Sequence, residues 1–186
     1  DKGVKGFRFD VVNLISKAAF EDDETGDGRK YYTDGPNIHK YLKELHDMTF
    51  GTNAEIITGG EMSSTSIENC YQYAGADTGE LSMVFSFHHL KVDFMGNEKW
   101  VLVPADFGKL KKIIFEWQTK MAEHNAWNAV FWCNHDQPRV VSRFGNEGTL
   151  WKESAKMLAT VVHCLRGTPY VYQGEELGMT NCPFDS

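Results

Sequence analysis

Three carboxylates stand where an apolar run gives way to a loop. Asp10 follows Val4-Lys5-Gly6-Phe7-Arg8-Phe9, Glu61 follows Glu55-Ile56-Ile57-Thr58-Gly59-Gly60, and Asp136 sits in Asn134-His135-Asp136 after the run Ala126 to Cys133. In parallel α/β architectures the carboxyl ends of the strands converge on one rim, so acids far apart in sequence can meet there. Such a set suits glycoside hydrolysis, which needs one acid to protonate the leaving oxygen and one carboxylate facing the anomeric carbon. Each acid alone is more simply read as a helix cap or an exposed loop residue. All three together, flanked by Arg8 and His135, favour the chemical reading. Arg8 lies two positions before Asp10, so both side chains leave a strand on the same side, where a guanidinium favours the ionised form of Asp10.

The elements that must position these acids are legible as alternating strands and helices. Five short β-rich runs are expected: the two ending at Asp10 and Glu61, Met83 to His88, Ala126 to Cys133, and Thr168 to Tyr172, which ends at Gln173-Gly174-Glu175-Glu176. Three apolar stripes of helical period lie among them. The first holds Ile38, Tyr41, Leu42 and Leu45, with Pro36 placed for a first turn and Gly51 for the exit. The second holds Phe107, Leu110, Ile113, Ile114, Trp117 and Met121. The third holds Leu150, Ala155, Leu158, Val161, Val162 and Leu165, opened by a Thr149 cap and closed by Gly167. Strands separated by helices are the sequence form of βαβ units and a parallel sheet. No linker interrupts residues 1–186, which read as one structural unit.

Composition narrows the function classes. With 41% hydrophobic and 24% charged residues, the chain has material for one sizeable core. A formal charge of −7 with scattered lysines leaves no electrostatic footprint for nucleic acid or an anionic membrane. The longest apolar run is too short to span a bilayer. Four widely spaced cysteines without a C-x-x-C pair read as free thiols of a reducing, cytoplasmic compartment. No P-loop and no G-x-S-x-G elbow is present, and no cofactor is implied.

The wording of the motifs adds a family. Gly6-Phe7-Arg8-Phe9-Asp10-Val11-Val12-Asn13, Gly60-Glu61-Met62 and Asn134-His135-Asp136-Gln137-Pro138-Arg139 resemble, in order, the second, third and fourth signature segments of the α-amylase family, glycoside hydrolase family 13. The resemblance implies part of a (β/α)8 TIM barrel, from about strand four to strand eight. It implies Asp10 as nucleophile, Glu61 as general acid/base, Asp136 as a stabiliser of the transition state through the sugar hydroxyls, Arg8 as the partner orienting Asp10, and His135 as a sugar contact. Glu61 must begin protonated, which burial and nearby negative charge favour. Retention of configuration then predicts a carboxylate separation of roughly 5–5.5 Å.

Asp10 to Lys17 resembles the oligo-1,6-glucosidase branch of that family. Within the branch, Asp27 to Pro36, Gly60 to Thr65 and Phe85 to Asp93 resemble its trehalose-6-phosphate hydrolases more than its isomaltose-cleaving members. The implied reaction is hydrolysis of trehalose 6-phosphate to glucose and glucose 6-phosphate. A dianionic phosphate needs cationic or N–H donors, for which Arg29, Lys30 and Lys91, with the Ser63 and Ser64 hydroxyls, are the candidates; a solvated surface role is the plainer reading of each. Gly59 departs from the larger apolar residue usual in relatives, a matter of packing.

Other groups carry weaker signals. Of His88 and His89, read as adjacent strand residues facing opposite ways, one is expected near the sugar. Tyr31, Tyr32, Phe87 and Phe144 are candidate sugar walls, with Phe144 and Arg139 close enough to Asp136 to contact substrate. Asp23-x-Thr25-x-Asp27-Gly28 with Asp34 departs from a calcium loop at two ligand positions and reads as a polar turn. No metal is implied.

Asp1-Lys2-Gly3-Val4 leads straight into a strand without an initiator Met, so the chain is expected to be part of a longer enzyme. Alone it should lack activity and self-associate through open sheet edges. Two rivals remain: an oligo-1,6-glucosidase or other α-glucosidase acting on unphosphorylated sugar, and a non-catalytic carbohydrate-binding relative. The second fits poorly with three retained carboxylates.

Overall fold

In the computed structural model, residues 2–22, 24, 26–96, 98, 101 and 103–183 are described. Five strands alternate with helices and form one sheet in sequence order: β1 Gly6–Phe9, β2 Ile57–Glu61, β3 Met83–Phe85, β4 Asn128–Phe131 and β5 Thr168–Tyr170. β1 pairs parallel to β2, β2 to β3 and β3 to β4. The helices are α1 Ile38–Met48, α2 Ile67–Ala74, α3 Phe107–Glu123, α4 Val140–Phe144 and α5 Trp151–Cys164. This is the expected partial barrel: a parallel sheet with helices in its connections. Two compact units divide the chain, one of Asp1–Phe87 with Trp117–Ala129, the other of His88–Glu116 with Val130–Ser186.

In the first unit, α1 buries Ile38 and Leu42, one helical turn apart, while Lys43 and Asp47 pair on its outer side. α2 is capped by Ser66, whose hydroxyl accepts the Asn69 N–H at 3.3 Å. Its Cys70, Tyr73 and Ala74 join Val12, Leu42, Met62, Leu81, Val84 and Met121 in a core. Each fully buried aliphatic chain there contributes about 1.5–3 kcal/mol. Gly60 is required by this packing: a Cβ would lie 2.5 Å from Leu81 Cδ1 and 2.7 Å from Met62 Cε. At Gly59 the Phe85 ring takes the space of a side chain, 2.9 Å from where a Cβ would stand.

In the second unit, Trp132 is buried and donates its indole N–H to the Leu158 carbonyl at 2.8 Å. Arg143 lies buried with Asp93, Nε to Oδ2 2.8 Å, and its other nitrogens reach the Leu90 carbonyl and Gln137 Oε1. An open apolar groove of about 320 Å³ runs along Phe107, Ile114, Phe115 and Met157, with Trp132 and Phe144 at its floor.

Several local expectations change. Pro36 precedes the Asn37 cap position of α1, outside the first turn, and the helix exits through Thr49, with Gly51 in a following 3-10 turn. Thr149 caps nothing; Leu150 precedes α5, and the Trp151 N–H turns back to the Gly148 carbonyl. His88 and His89 sit in a 3-10 turn rather than on the strand, so the alternation argument does not apply to them. The short helices α2 and α4 have no counterpart in the sequence reading, because eight and five residues are too few to show a repeating stripe.

Candidate active site

Register brings Asp10 and Glu61 together. Arg8 is aligned with Gly59 and Phe9 with Gly60, so the next pair across the carboxyl end of β1 and β2 is Asp10 and Glu61. Neighbouring parallel strands run about 4.8 Å apart, which places the two acids side by side. Arg8, two residues back on the same face, reaches both: Nη1 donates to Asp10 Oδ1 at 2.8 Å and Nη2 donates to Glu61 Oε2. The sequence paired Arg8 with Asp10 alone; the guanidinium fork joins the two carboxylates. Glu61 is buried and the Asp10 side chain 72% exposed.

The chain turns sharply after each acid. Val11, directly after Asp10, has φ 36 and ψ 44, an unusual left-handed conformation for a β-branched residue that costs about 1–3 kcal/mol. A 3-10 turn over Val12–Leu14 follows, with Val12 and Asn13 buried. After Glu61, the Met62 N–H bonds the Phe85 carbonyl, and Ser64 has φ 55.

Of the proposed phosphate ligands, Arg29 and Ser64 lie together, Nη1 to Oγ 3.0 Å, with Asp27 3.2 Å from Arg29 Nε. Lys30 Nζ lies 4.9 Å from the centre of the Tyr31 ring. Asp23 and Thr25 of the calcium-like pattern lie outside the described residues. Its Asp34 accepts hydrogen bonds from Asn13, Thr65, Asn69 and Tyr73. Burial, and then its bond to Asp34, holds the Tyr73 phenol well above the usual range. Among the described residues no cluster of three His, Cys, Asp or Glu is arranged for a metal ion.

The second unit holds His135 and Asp136, exposed and adjacent, His135 Nε2 3.4 Å from Asp136 Oδ2. Their loop is tied at both ends. Asn134 Oδ1 accepts the Asp136 N–H at 2.8 Å, and the buried Cys133 sulfur accepts the Val140 N–H at 3.1 Å. Burial pushes the Cys133 thiol up to about 12. Arg139 is held by the protein, Nη1 to the Gln173 carbonyl at 2.7 Å and its guanidinium 4.8 Å from the centre of the Tyr172 ring. Phe144 is 5% exposed and packs edge-on to Trp132 and Phe107. It is placed in an apolar cluster rather than on a sugar-facing wall, because α4 turns it inward.

His88, also in the second unit, is half-buried, and burial followed by the nearby Lys91 lowers its pKa, which favours the neutral ring. His89 is held down to about 4 by burial, with its Nε2 2.8 Å from the Phe131 carbonyl. Asn13, Asp34 and Arg143 were missed by sequence reasoning. Buried Asn13 and Arg143 have no periodic signal and are revealed only by partners 50 residues away, and half-buried Asp34 by partners 21 to 39 residues away.

Comparison with known proteins adds the family. The model described as "Alpha amylase, catalytic domain" matches residues 1–185. The trehalose-6-phosphate hydrolase of Bacillus subtilis (strain 168) is 57% identical over 185 residues, 99% of this chain and 33% of that protein. The oligo-1,6-glucosidase of Bacillus cereus is 48% identical over 192 residues, 100% of this chain and 34% of that protein. A crystal structure of Bacillus licheniformis trehalose-6-phosphate hydrolase superposes with a TM-score of 0.91 at 58% identity, over 97% of this chain and 32% of that one. The chain thus spans about a third of the length of the relatives it matches.

Proposed function

Since the chain belongs to the α-amylase catalytic-domain family, we propose that the enzyme carrying it is a retaining α-glucoside hydrolase that converts trehalose 6-phosphate and water to glucose and glucose 6-phosphate. The observation that carries the chemistry is the shared guanidinium: Arg8 bonds both Asp10 and Glu61 at the carboxyl ends of neighbouring strands. Asp10 attacks the anomeric carbon while Glu61 protonates the departing glycosidic oxygen, giving a glucosyl-enzyme ester. Glu61, now a carboxylate, takes a proton from water as that water displaces Asp10. Two inversions retain the configuration.

Arg8 keeps Asp10 ionised for attack. Its bond to Glu61 favours the carboxylate and burial favours the acid, so loading the proton on Glu61 weakens that arm of the fork. By the family resemblance, Asp136 and His135 have the role of binding sugar hydroxyls.

The substrate reading rests on the gap between 57% identity to a trehalose-6-phosphate hydrolase and 48% to an oligo-1,6-glucosidase. It is supported by Arg29 of the 3-10 turn Arg29–Tyr31, whose guanidinium meets the hydroxyl of Ser64 on the loop that follows Glu61. At least one of Arg29, Lys30 and Lys91 contacts the phosphate of the leaving group. Four free cysteines fit a reducing, cytoplasmic setting, and among the described residues no helix is long and apolar enough to cross a membrane.

The test is kcat/KM for trehalose 6-phosphate, trehalose and isomaltose with the full-length enzyme. A preference for the phosphorylated sugar is expected, reduced when Arg29, Lys30 and Lys91 are all replaced by Ala. Equal or better turnover of isomaltose identifies an oligo-1,6-glucosidase instead.

A further inference from the structure

Beyond Arg8, a second device joins the loops of Asp10 and Glu61. Asn13, three residues after Asp10, is fully buried. Its Nδ2 donates to the Ser63 carbonyl at 2.8 Å, and its Oδ1 accepts the Ser63 N–H at 2.9 Å. Ser63 lies two residues after Glu61. One side-chain amide thus exchanges both hydrogen bonds with one backbone residue, as a rung of a sheet does, and extends the bonding between β1 and β2 past the ends of the strands.

Asn13 is itself fixed. Its Nδ2 also reaches Asp34 Oδ1 at 3.0 Å, and its carbonyl accepts the Asp34 N–H at 3.0 Å. Asp34 is gripped in turn by Tyr73 OH at 2.6 Å, Thr65 Oγ1 at 2.6 Å and Asn69 Nδ2 at 2.8 Å. The left-handed residues gather at the same place. Among the described residues the non-glycines with positive φ are Val11, Asp34, Ser64 and Asn125, and the first three belong to this junction. Such backbone persists only where the surroundings over-determine it, and it concentrates at functional sites.

We propose that Asn13 is a positioning residue, set by Asp34, that fixes the separation between the Asp10 and Glu61 carboxylates. The inference rests on the reading of Asp10 and Glu61 as the reacting pair. The carboxamide is needed because a single group must both donate to and accept from Ser63, which neither a carboxylate nor a hydrocarbon does.

The experiment compares Asn13→Asp and Asp34→Asn in the full-length enzyme, each assayed below its own unfolding midpoint. Both keep side-chain size. The first presents an acceptor to the Ser63 carbonyl and to Asp34; the second removes the charge that holds Asn13. A misplacement of the carboxylates by an ångström costs about 10²-fold in rate, so kcat is expected to fall about 10- to 100-fold with KM changed less than about threefold. Glu61 faces the Asp10 charge as well as Arg8. Loosening the pair weakens the repulsion that favours protonated Glu61, so the basic limb of kcat/KM moves to lower pH.

Unchanged kcat in both variants, or a loss with the pH limb unmoved, overturns the positioning role. If Asn13→Asp does not fold, Asp34→Asn decides. Asp10→Asn and Glu61→Gln serve as the separate check: full activity in either removes the reacting pair itself, whereas inactivity there beside intact Asn13 and Asp34 variants removes only the positioning role.

Discussion

Arg143 is buried with its guanidinium against Asp93, Nε to Oδ2 2.8 Å, and the pair holds together three stretches of the second unit. The Arg143 side chain has no solvent exposure and also bonds Leu90 and Gln137. Removing one partner of a buried pair leaves an uncompensated charge. Arg143→Met is therefore expected to lower stability by about 3–5 kcal/mol, and adding Asp93→Leu to recover a large part of the loss. Urea unfolding of the single and double variants measures both; a double variant as unstable as the single one contradicts it.

The fork of Arg8 serves two carboxylates at once, and a point-charge ammonium cannot match two oxygens in one plane. Arg8→Lys is expected to lower kcat of the full-length enzyme about 10²-fold or more, in the range found when one preorganised donor is removed from a charged site. Stability should change little, since the Arg8 side chain is 41% exposed. Steady-state kinetics beside a thermal melt separates the two effects.

Two histidines respond to pH in opposite directions. The hydrogen bond to Glu80 raises the His39 pKa above the ordinary 6.5. The folded state therefore binds this proton more tightly than the unfolded chain. Its contribution is complete below about 6.5 and is lost as pH rises through the folded value. Burial lowers His89 to about 4, so its contribution is complete above 6.5 and is lost as pH falls toward 4, on the order of 3 kcal/mol. Melting temperatures from pH 4 to 7 should rise, and His89→Gln should flatten that rise. An equally steep curve in the variant would rule His89 out as its source.

Thiol chemistry should follow burial. Burial pushes Cys70 up to about 12 and Cys133 likewise, while Cys164 and Cys182 are exposed. A thiol that resists ionisation is a poor nucleophile. A disulfide reagent at neutral pH should modify Cys164 and Cys182 in the folded chain and reach Cys70 and Cys133 only on unfolding. Early labelling of Cys133, read by peptide mass, would mean that the loop carrying Asp136 opens readily.

What the sequence determined lies in patterns that repeat locally. Asp10 and Glu61 each end a short strand run, the stripes of α1, α3 and α5 repeat long enough to mark an apolar face, and Arg8 shares a side with Asp10 through the two-residue period of a strand. The segments around Asp10, Glu61 and Asp136 were enough to indicate the family. The tertiary structure decided what depends on register between distant segments. Glu61 falls beside Asp10 because Phe9 aligns with Gly60. Asn13 finds Ser63, and Arg143 finds Asp93, across some 50 residues. Phe144 packs against Trp132 only because α4 turns it inward. Nothing in Val11 announces a left-handed backbone, since a β-branched residue avoids it unless packing imposes it. Local periodicity is carried by each residue and its near neighbours, whereas a buried polar partner is chosen by whichever segment folding brings within hydrogen-bond reach.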